Sequence, residues 1–461
     1  MKKTILMVVS LATALMALAE GYQVNTLSVK QEGMGHTGTA MKLGAESMIF
    51  NPAGMAFMDK TFDLSAGVSA VIPEATAVLA DGKEYSTSAD PSTPFHVSAA
   101  FSIYDNLKAG ITINTPYGSG IDWTDNWPGS MLNQAVKLQV FNVQPTVSYR
   151  ILPNLSVGAG LMMACGNVDL DKGLVDPATF DKVLMAAGVP QEQLFGNTQP
   201  ASVNINGKAK MAFGYNVGLL WDINDEISVG ASYRSKMDMK VEAGDATLTY
   251  ANELAASQLG ALVGMNGANF SAQMPAVSVL SMGVSYKPIE KLTLAFDAQL
   301  SGWSDYERLQ INFLDDRLAA FNQDLTKNYK DSWAFRLGAQ YALTERFDVR
   351  AGFIVDTTPV DENYFNPETP GMTRLEPCVG FSFRPTSRLS VDVAFTYIEG
   401  LARKGSNPYI DLVAAQQYQM NLQEPEKLAA LQQMLGPVEK TFSAEYDVYA
   451  FVPAIGISYS F

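Results

Sequence analysis

Four groups of residues in this chain have types and spacings that invite chemistry. Gly33-Met34-Gly35-His36-Thr37-Gly38 matches the glycine fingerprint that lets a backbone approach a pyrophosphate. That chemistry needs the turn between a strand and a helix of a βαβ unit, and no strand-like run precedes Gly33. The stretch reads instead as a compact segment in which glycine permits tight backbone packing. The two histidines, His36 and His96, and the two cysteines, Cys165 and Cys378, have no metal-ligand spacing, so no metal site is expected. Cys165 and Cys378 take opposite faces of their strands, which argues against a bridge and for small packing residues. No serine or cysteine stands in a triad pattern with either histidine, so neither an enzyme nor a cofactor is expected. The last group is cationic: Arg234, Lys236 and Lys240 share one parity, and Arg336 and Arg350 take the inward parity of their strands. Such cations would meet a carboxylate inside an apolar enclosure. The plainer alternative is pairing with acids such as Asp238 and Asp348.

The elements that would position these residues begin with an export segment. Lys2 and Lys3 precede an apolar run from Ile5 to Leu18, which ends in Ala17-Leu18-Ala19. This is the pattern of a signal peptide, residues 1–19, cleaved after Ala19. The run holds about 14 apolar residues where a membrane helix needs about 20, which argues against an uncleaved anchor. Beyond Ala19 no uninterrupted apolar stretch approaches that length, yet 47% of residues are hydrophobic. Two or three soluble domains would use such a composition; so would one large barrel, whose apolar content hides in alternation. The formal charge of −15, or −17 without Lys2 and Lys3, leaves no basic stripe for phosphates, so no nucleic acid partner is expected.

Strand-like runs with turn signals between them fill the rest: 62–78, 95–104, 108–115, 137–150, 155–168, 204–221, 226–241, 274–286, 291–303, 333–341, 347–355, 375–383, 389–397 and 441–461. Many alternate with period two. Leu389, Val391, Val393, Phe395 and Tyr397 oppose Ser390, Asp392, Ala394 and Thr396. A soluble sandwich also alternates, but about 14 strands, an export signal and alternating short and long connections favour a transmembrane antiparallel β-barrel. The long connections are 169–203, 242–273, 304–331 and 400–440, and an even strand number puts both termini in the periplasm. Ile455, Ile457, Tyr459 and Phe461 share one face, and a last strand ending on an aromatic residue resembles the signal read by the barrel-assembly machinery.

Residues 20–60 do not alternate and are too few to form a stable domain alone. Within the lumen of a barrel spanning 61–461 they would act as a plug. Asn51-Pro52-Ala53-Gly54-Met55, with Gly21-Tyr22-Gln23 and the glycine-rich stretch before it, resembles the N-terminal hatch of FadL-type long-chain fatty acid transporters. Thr115-Pro116-Tyr117-Gly118 followed by Asp122-Trp123 and Asn126-Trp127 is similar to that family's third strand and loop. Arg350-Ala351-Gly352 and Asp356-Thr357-Thr358-Pro359-Val360 resemble its late-strand signature. The order of these motifs is the family's, and together they span nearly all of the mature chain.

The resemblance implies an all-β barrel with a lumenal hatch in the bacterial outer membrane, present as a monomer and needing no energy source. It implies passive transport: outer loops capture a hydrophobic molecule, the lumen binds it, and it leaves sideways into outer-membrane lipid where the third strand kinks. Asn51, Pro52 and Ala53 in the hatch, and Pro116 in the strand, would gate that path. A hydrophobic solute gains by partitioning into a bilayer rather than into the aqueous periplasm. Pro116 suits a break in pairing and the end of a strand equally well. For capture, Phe180, Val183 and Leu184 lie at helical spacing in 177–188, and Leu254, Leu259, Leu262 and Val263 in 252–265. Their apolar faces would line a groove or pack on each other. Fatty acids and aromatic hydrocarbons are both open as ligands. A general porin is disfavoured by the plug, and an adhesin role for the loops stays open.

Overall fold

The computed structural model describes residues 21–461 apart from 89, 125, 261–265 and 369; the expected signal segment lies outside the described residues. Its strands form a closed antiparallel ring of 14. The first seven are β1 (Phe62–Ser69, extended by Ile72–Val78), β2 (Phe95–Tyr104), β3 (Leu107–Asp122), β4 (Ala135–Leu152), β5 (Leu155–Gly173), β6 (Ala201–Asp222) and β7 (Ile227–Arg234, then Met237–Tyr250). The others are β8 (Ala268–Ala276, then Val279–Ile289), β9 (Leu292–Ser301, then Arg308–Phe313), β10 (Gln323–Thr326, then Ser332–Ala342), β11 (Phe347–Asp356), β12 (Arg374–Thr386), β13 (Leu389–Gly400, then Arg403–Ile410) and β14 (Glu439–Ser460). β1 pairs with β2 on one side and β14 on the other, so no edge is left for aggregation. Phe461 completes the closure, exchanging two backbone hydrogen bonds of 3.0 Å with Phe62.

The outer surface shows why this ring belongs in lipid. Along β6, Met211, Phe213, Tyr215, Val217, Leu219 and Trp221 all point out and are 41–61% exposed. A band of this kind around the ring would aggregate in water and is satisfied by acyl chains. Above it the strands continue past the expected ends, so the outer connections are shorter than the sequence suggested and, among the described residues, carry four α-helices of their own. With the hatch helices α1 (Val29–Glu32) and α2 (Ser47–Phe50) counted first, these are α3 (Pro177–Ala186), α4 (Glu253–Gln258), α5 (Leu412–Met420) and α6 (Pro425–Leu435).

The periodicity misplaced one set of residues. An unbroken strand over 226–241 would put Lys236 and Lys240 in the lumen and Met237 and Met239 toward lipid. The structure reverses all four: β7 breaks at Ser235-Lys236, and beyond the break the opposite parity faces in. Met237 and Met239 are buried, whereas Lys236 and Lys240 are exposed on the outside, with Lys236 3.3 Å from Asp305.

Residues 21–60 fill the lumen. Their glycines meet glycines of the wall. A Cβ on Gly352 would lie 2.0 Å from the Gly35 nitrogen, and one on Gly380 2.9 Å from the Gly33 Cα. Gly35 also needs its φ of +62°, which a side chain disfavours. The nucleotide-like fingerprint is therefore a packing device. His36 within it is buried, and its Nε2 accepts the Leu27 N–H at 3.2 Å. Burial, reinforced by the charges of Arg336 and Arg234, holds its pKa far below the ordinary value and keeps it a neutral acceptor. Gly352→Val is expected to leave the barrel assembled but unseat the hatch. Limited proteolysis should then cut within 21–60, where the wild type resists.

Candidate functional site

Two cavities border the hatch. The larger, about 880 Å3, opens among the short turns at the periplasmic end. Lys30, Lys42, Asp222, Asp348, Arg350 and Arg384 are among its lining residues, and a hydrophobic solute has no reason to stay there. The other lies on the outer side of the hatch and is almost wholly apolar. Val140, Leu170, Met239, Phe270, Met274 and Ile311 form much of its wall, and Tyr22 of the hatch and Tyr117 of β3 stand beside them. Its volume is about 80 Å3, below the ~300 Å3 of ordinary ligand pockets. A ligand must therefore part the side chains, and unbranched methionines at the wall suit that adjustment.

Aromatic rings fix the floor. Tyr22 stands edge-on to Trp303 with ring centres 4.7 Å apart, and Tyr306 packs on Tyr329 at 5.1 Å. Tyr117 Oη donates to the Val277 carbonyl at 3.0 Å, and Tyr22 Oη donates to that of Pro275.

The polar element of the site was not visible in the sequence. Lys327 is buried, its Nζ 2.9 Å from Glu368 and 6.0 Å from the Tyr306 ring centre; Glu368 and Tyr306 both line the cavity. Burial works against charge on Lys327, but Glu368 and Tyr329 outweigh it and raise its pKa, so it stays an ammonium at neutral pH. Lys172 lies near enough to feel both charges and donates to Gln323 at 3.2 Å. Lys327 follows a short hairpin arm within a stretch the sequence presented as loop, where no periodicity could aim it.

None of the five expected cations lines this apolar cavity. Arg336 points in as expected but donates to Gln299 at 2.7 Å and to Asn25 of the hatch at 2.8 Å. Arg350, also inward, bonds Gln340 and Ser382 and sits 3.7 Å from Asp348. Arg234 ends the inner part of β7 and is half-buried. Asn51 in the hatch donates to the carbonyls of Thr39 at 2.7 Å and Leu219 at 2.9 Å and caps the turn that Pro52 and Ala53 begin.

Pro116 does not end its strand, because β3 runs on to Asp122. The residues from Asn114 to Tyr117 are all buried, and pairing with β4 slips by one residue between Asn114 and Tyr117. Pairing with β2 stops at Asn114. Beyond it the hatch supplies partners instead: Val24 N–H donates to the Pro116 carbonyl at 3.0 Å, and Gly118 N–H to that of Tyr22 at 2.9 Å. β3 therefore bulges here, and along this stretch the N-terminal segment takes the place of β2 as its ladder partner.

Over the outer mouth, Phe180 and Leu184 of α3 are buried and Val183 partly so, in the same apolar cluster as the cavity wall; Leu259 is buried and Leu254 partly buried there as well. Leu262 and Val263 lie outside the described residues. Asp176 and Asp411 cap α3 and α5, and Lys440 holds both, at 2.8 and 2.7 Å. Burial works to raise the Asp176 carboxyl, but Lys440, Tyr409 and Thr179 outweigh it and keep it below its ordinary 3.8. A depressed carboxyl contributes stability above its unfolded pKa and loses it as pH falls through the folded one. The protection factors of the α3 amides, which are exchange rates corrected for their intrinsic pH dependence, are thus expected to be unchanged from pH 7 to 5 and to fall below about pH 4.

The comparisons with known proteins agree with this geometry. The family described as Outer membrane protein transport protein (OMPP1/FadL/TodX) matches residues 10–436. The chain is 24% identical to the Long-chain fatty acid transport protein of an Escherichia coli O6:H1 strain, over 83% of this chain and 88% of that one. It is also 24% identical to Outer membrane protein P1 of Haemophilus influenzae over 65% of this chain, and it spans only 64% of that relative. The crystal structure of a Pseudomonas aeruginosa FadL homologue superposes with a TM-score of 0.73 at 17% identity, covering 96% of this chain and all of that one. That of the Pseudomonas putida toluene transporter TodX gives 0.66 at 16%, covering 94% and 98%.

Proposed function

Because the chain belongs to the OMPP1/FadL/TodX family of outer-membrane transport proteins, we propose that it passively carries long-chain fatty acids or similar hydrophobic molecules across the outer membrane. It would work as a monomer, without a cofactor or an energy source. The observation that carries this reading is one continuous arrangement: an apolar lumenal cavity, a buried ammonium at its edge, and beside it a bulged stretch of β3 that pairs with the hatch in place of β2. The cavity takes the chain, and Lys327 favours a carboxylate over an uncharged solute. The outer loops would catch the ligand, with Phe180, Val183, Leu184, Leu254, Leu259, Leu262 and Val263 forming an apolar path once the Lys440 latch loosens. At Pro116 the ligand would leave into outer-membrane lipid, where its apolar surface is out of water. Asn51, Pro52 and Ala53 would hold the hatch closed meanwhile. An aromatic hydrocarbon would use the same cavity without the ammonium, and this is the second reading.

The test uses cells lacking their own fatty acid transporter and makes this chain their outer-membrane copy. Labelled oleate and labelled toluene are followed separately. Deleting Thr115 restores register between β3 and β4 and should abolish uptake while the barrel still folds. Uptake that survives the deletion would rule out exit at the bulge. Absence of oleate uptake with toluene uptake intact would establish the second reading.

A further inference from the structure

The wall has another interruption, between β6 and β7, which also line the cavity. Asn216 of β6 pairs with Arg234 of β7, and Asn206 pairs with Asp245. Next to Arg234, Ser235 N–H still donates to the Tyr215 carbonyl at 2.9 Å, and Tyr215 N–H to Ser235 Oγ at 2.9 Å; beyond them no ladder pairs join 207–214 of β6 to 236–244 of β7. The same stretch of β6 keeps its ladder with β5 and that of β7 with β8, each with a one-residue register slip, at Ala164/Gly166 and at Val241/Gly244, so only the β6–β7 seam loses its ladder over several residues. Side chains close it. Val241 lies against Gly207 and Met237 against Gly214, where a Cβ would come within 2.6 and 2.7 Å of them.

The two sides of this seam differ. Inside, Ile205, Ala209, Met239 and Val241 line the apolar cavity. Outside, Met211 and Phe213 are 57% and 61% exposed and form the outer end of the apolar band, with Lys208, Lys210, Lys236 and Lys240 just above. Lys210 pairs with Glu242 and Lys236 with Asp305. Among the described residues no carboxylate lies within ion-pair distance of Lys208 or Lys240. A ladder held by backbone hydrogen bonds opens only at the cost of burying unpaired amides in lipid. A seam closed by methionine and valine opens by rotamer changes.

We propose that the β6–β7 seam is a second membrane-facing port, through which a single-chain amphiphile with a carboxylate head passes between the outer leaflet and the lumenal cavity. The chain slides between β6 and β7, past Met237 and Met239, while the head stays with Lys208 and Lys240 at the membrane surface. The two interruptions then give the cavity two lipid-facing openings, so a molecule already dissolved in the outer leaflet can enter without passing the loop helices. This proposal rests on the lumenal-binding reading above.

The test closes the seam reversibly. In Gly214→Cys/Met237→Cys the two Cβ atoms are at most one carbon–carbon bond farther apart than the 2.7 Å from a Gly214 Cβ to Met237 Cγ, within reach of a disulfide. The full chain carries Cys165→Ser, Trp221→Phe and Trp333→Phe as well, and is reconstituted in phosphatidylcholine vesicles. The remaining tryptophans, Trp123, Trp127 and Trp303, are fully buried. Nitroxide-labelled stearate added to the bilayer then reports arrival in the lumen by quenching them. Oxidation should slow quenching about twofold, because the opening at Pro116 remains, and reduction should restore it. Lys208→Glu/Lys240→Glu, which needs no cross-link, should slow stearate but not its methyl ester. Equal rates in oxidised and reduced protein, with quenching intact, would overturn the port alone. Quenching absent in both states would overturn lumenal binding and the port with it.

Discussion

Lys327→Met should weaken binding of a long-chain carboxylate about 30-fold, the equivalent of about 2 kcal/mol for one charge-assisted hydrogen bond, while leaving toluene binding nearly unchanged. The side chain is buried beside the apolar cavity, 2.9 Å from Glu368 and close to the Tyr306 ring. In so dry a place a carboxylate loses its hydration, and only a fixed cation can replace it. Methionine keeps the stem and the packing and removes the charge alone, so the barrel should keep its heat-resistant mobility on a gel. Glu368→Gln is the counterpart. It removes the resident competitor for Lys327 and should leave carboxylate affinity equal or higher, whereas a merely structural ion pair would make both variants equally harmful. Titration of tryptophan fluorescence with oleate and with toluene separates these outcomes. Equal losses for both ligands in Lys327→Met would mean the ammonium supports the cavity wall and does not select a head group.

How far the sequence reached follows from which forces act locally. Strand faces were legible wherever lipid imposes period two, as in β13, whose outward Val393 and Phe395 are exposed and whose inward Ala394 and Thr396 are buried. The hatch was legible through Asn51-Pro52-Ala53, a side-chain-capped turn with its own local signature. Lys236 and Lys240 were misassigned because a break in β7 inverts parity without any glycine or proline to mark it. Lys327 and Glu368 escaped notice for another reason. They are 41 residues apart and meet only because the ring brings two outer connections together. The register slip at Pro116 has a sequence marker, but that marker fits a strand end as well. The slip itself appears only when partners on both sides are counted.

Asp297→Ala should turn a closed barrel into a conducting one. The carboxylate of Asp297, on β9, accepts hydrogen bonds from Gly38 N–H at 2.7 Å, Thr39 N–H at 2.9 Å and Thr39 Oγ1 at 2.8 Å. No other carboxylate of the wall takes two consecutive hatch amides among the described residues, and the site is fully dry, with Asp297 1% exposed. Removing it strands two buried N–H groups and a hydroxyl, at a cost of about 3–5 kcal/mol, a large share of what holds so small a segment in place. The ring itself loses nothing, since its ladders do not involve this side chain. A displaced hatch would leave a 14-stranded lumen with polar inward residues, a size at which barrels admit water. In planar bilayers the variant should show stepwise ion conductance where the wild type is silent, and Asp297→Asn, which keeps one acceptor, should fall between. The contrast with transport is the informative part. If hydrophobic uptake persists in Asp297→Ala while ions leak, the hatch is a seal and the ligand path runs outside it, through the wall. If uptake fails together with the seal, Tyr22 and Val24, which stand in for the missing ladder partner of β3, are needed to shape that path. A silent variant with an intact barrel would show that the other contacts of the hatch, at Asn51 and along the glycine seam, suffice without Asp297.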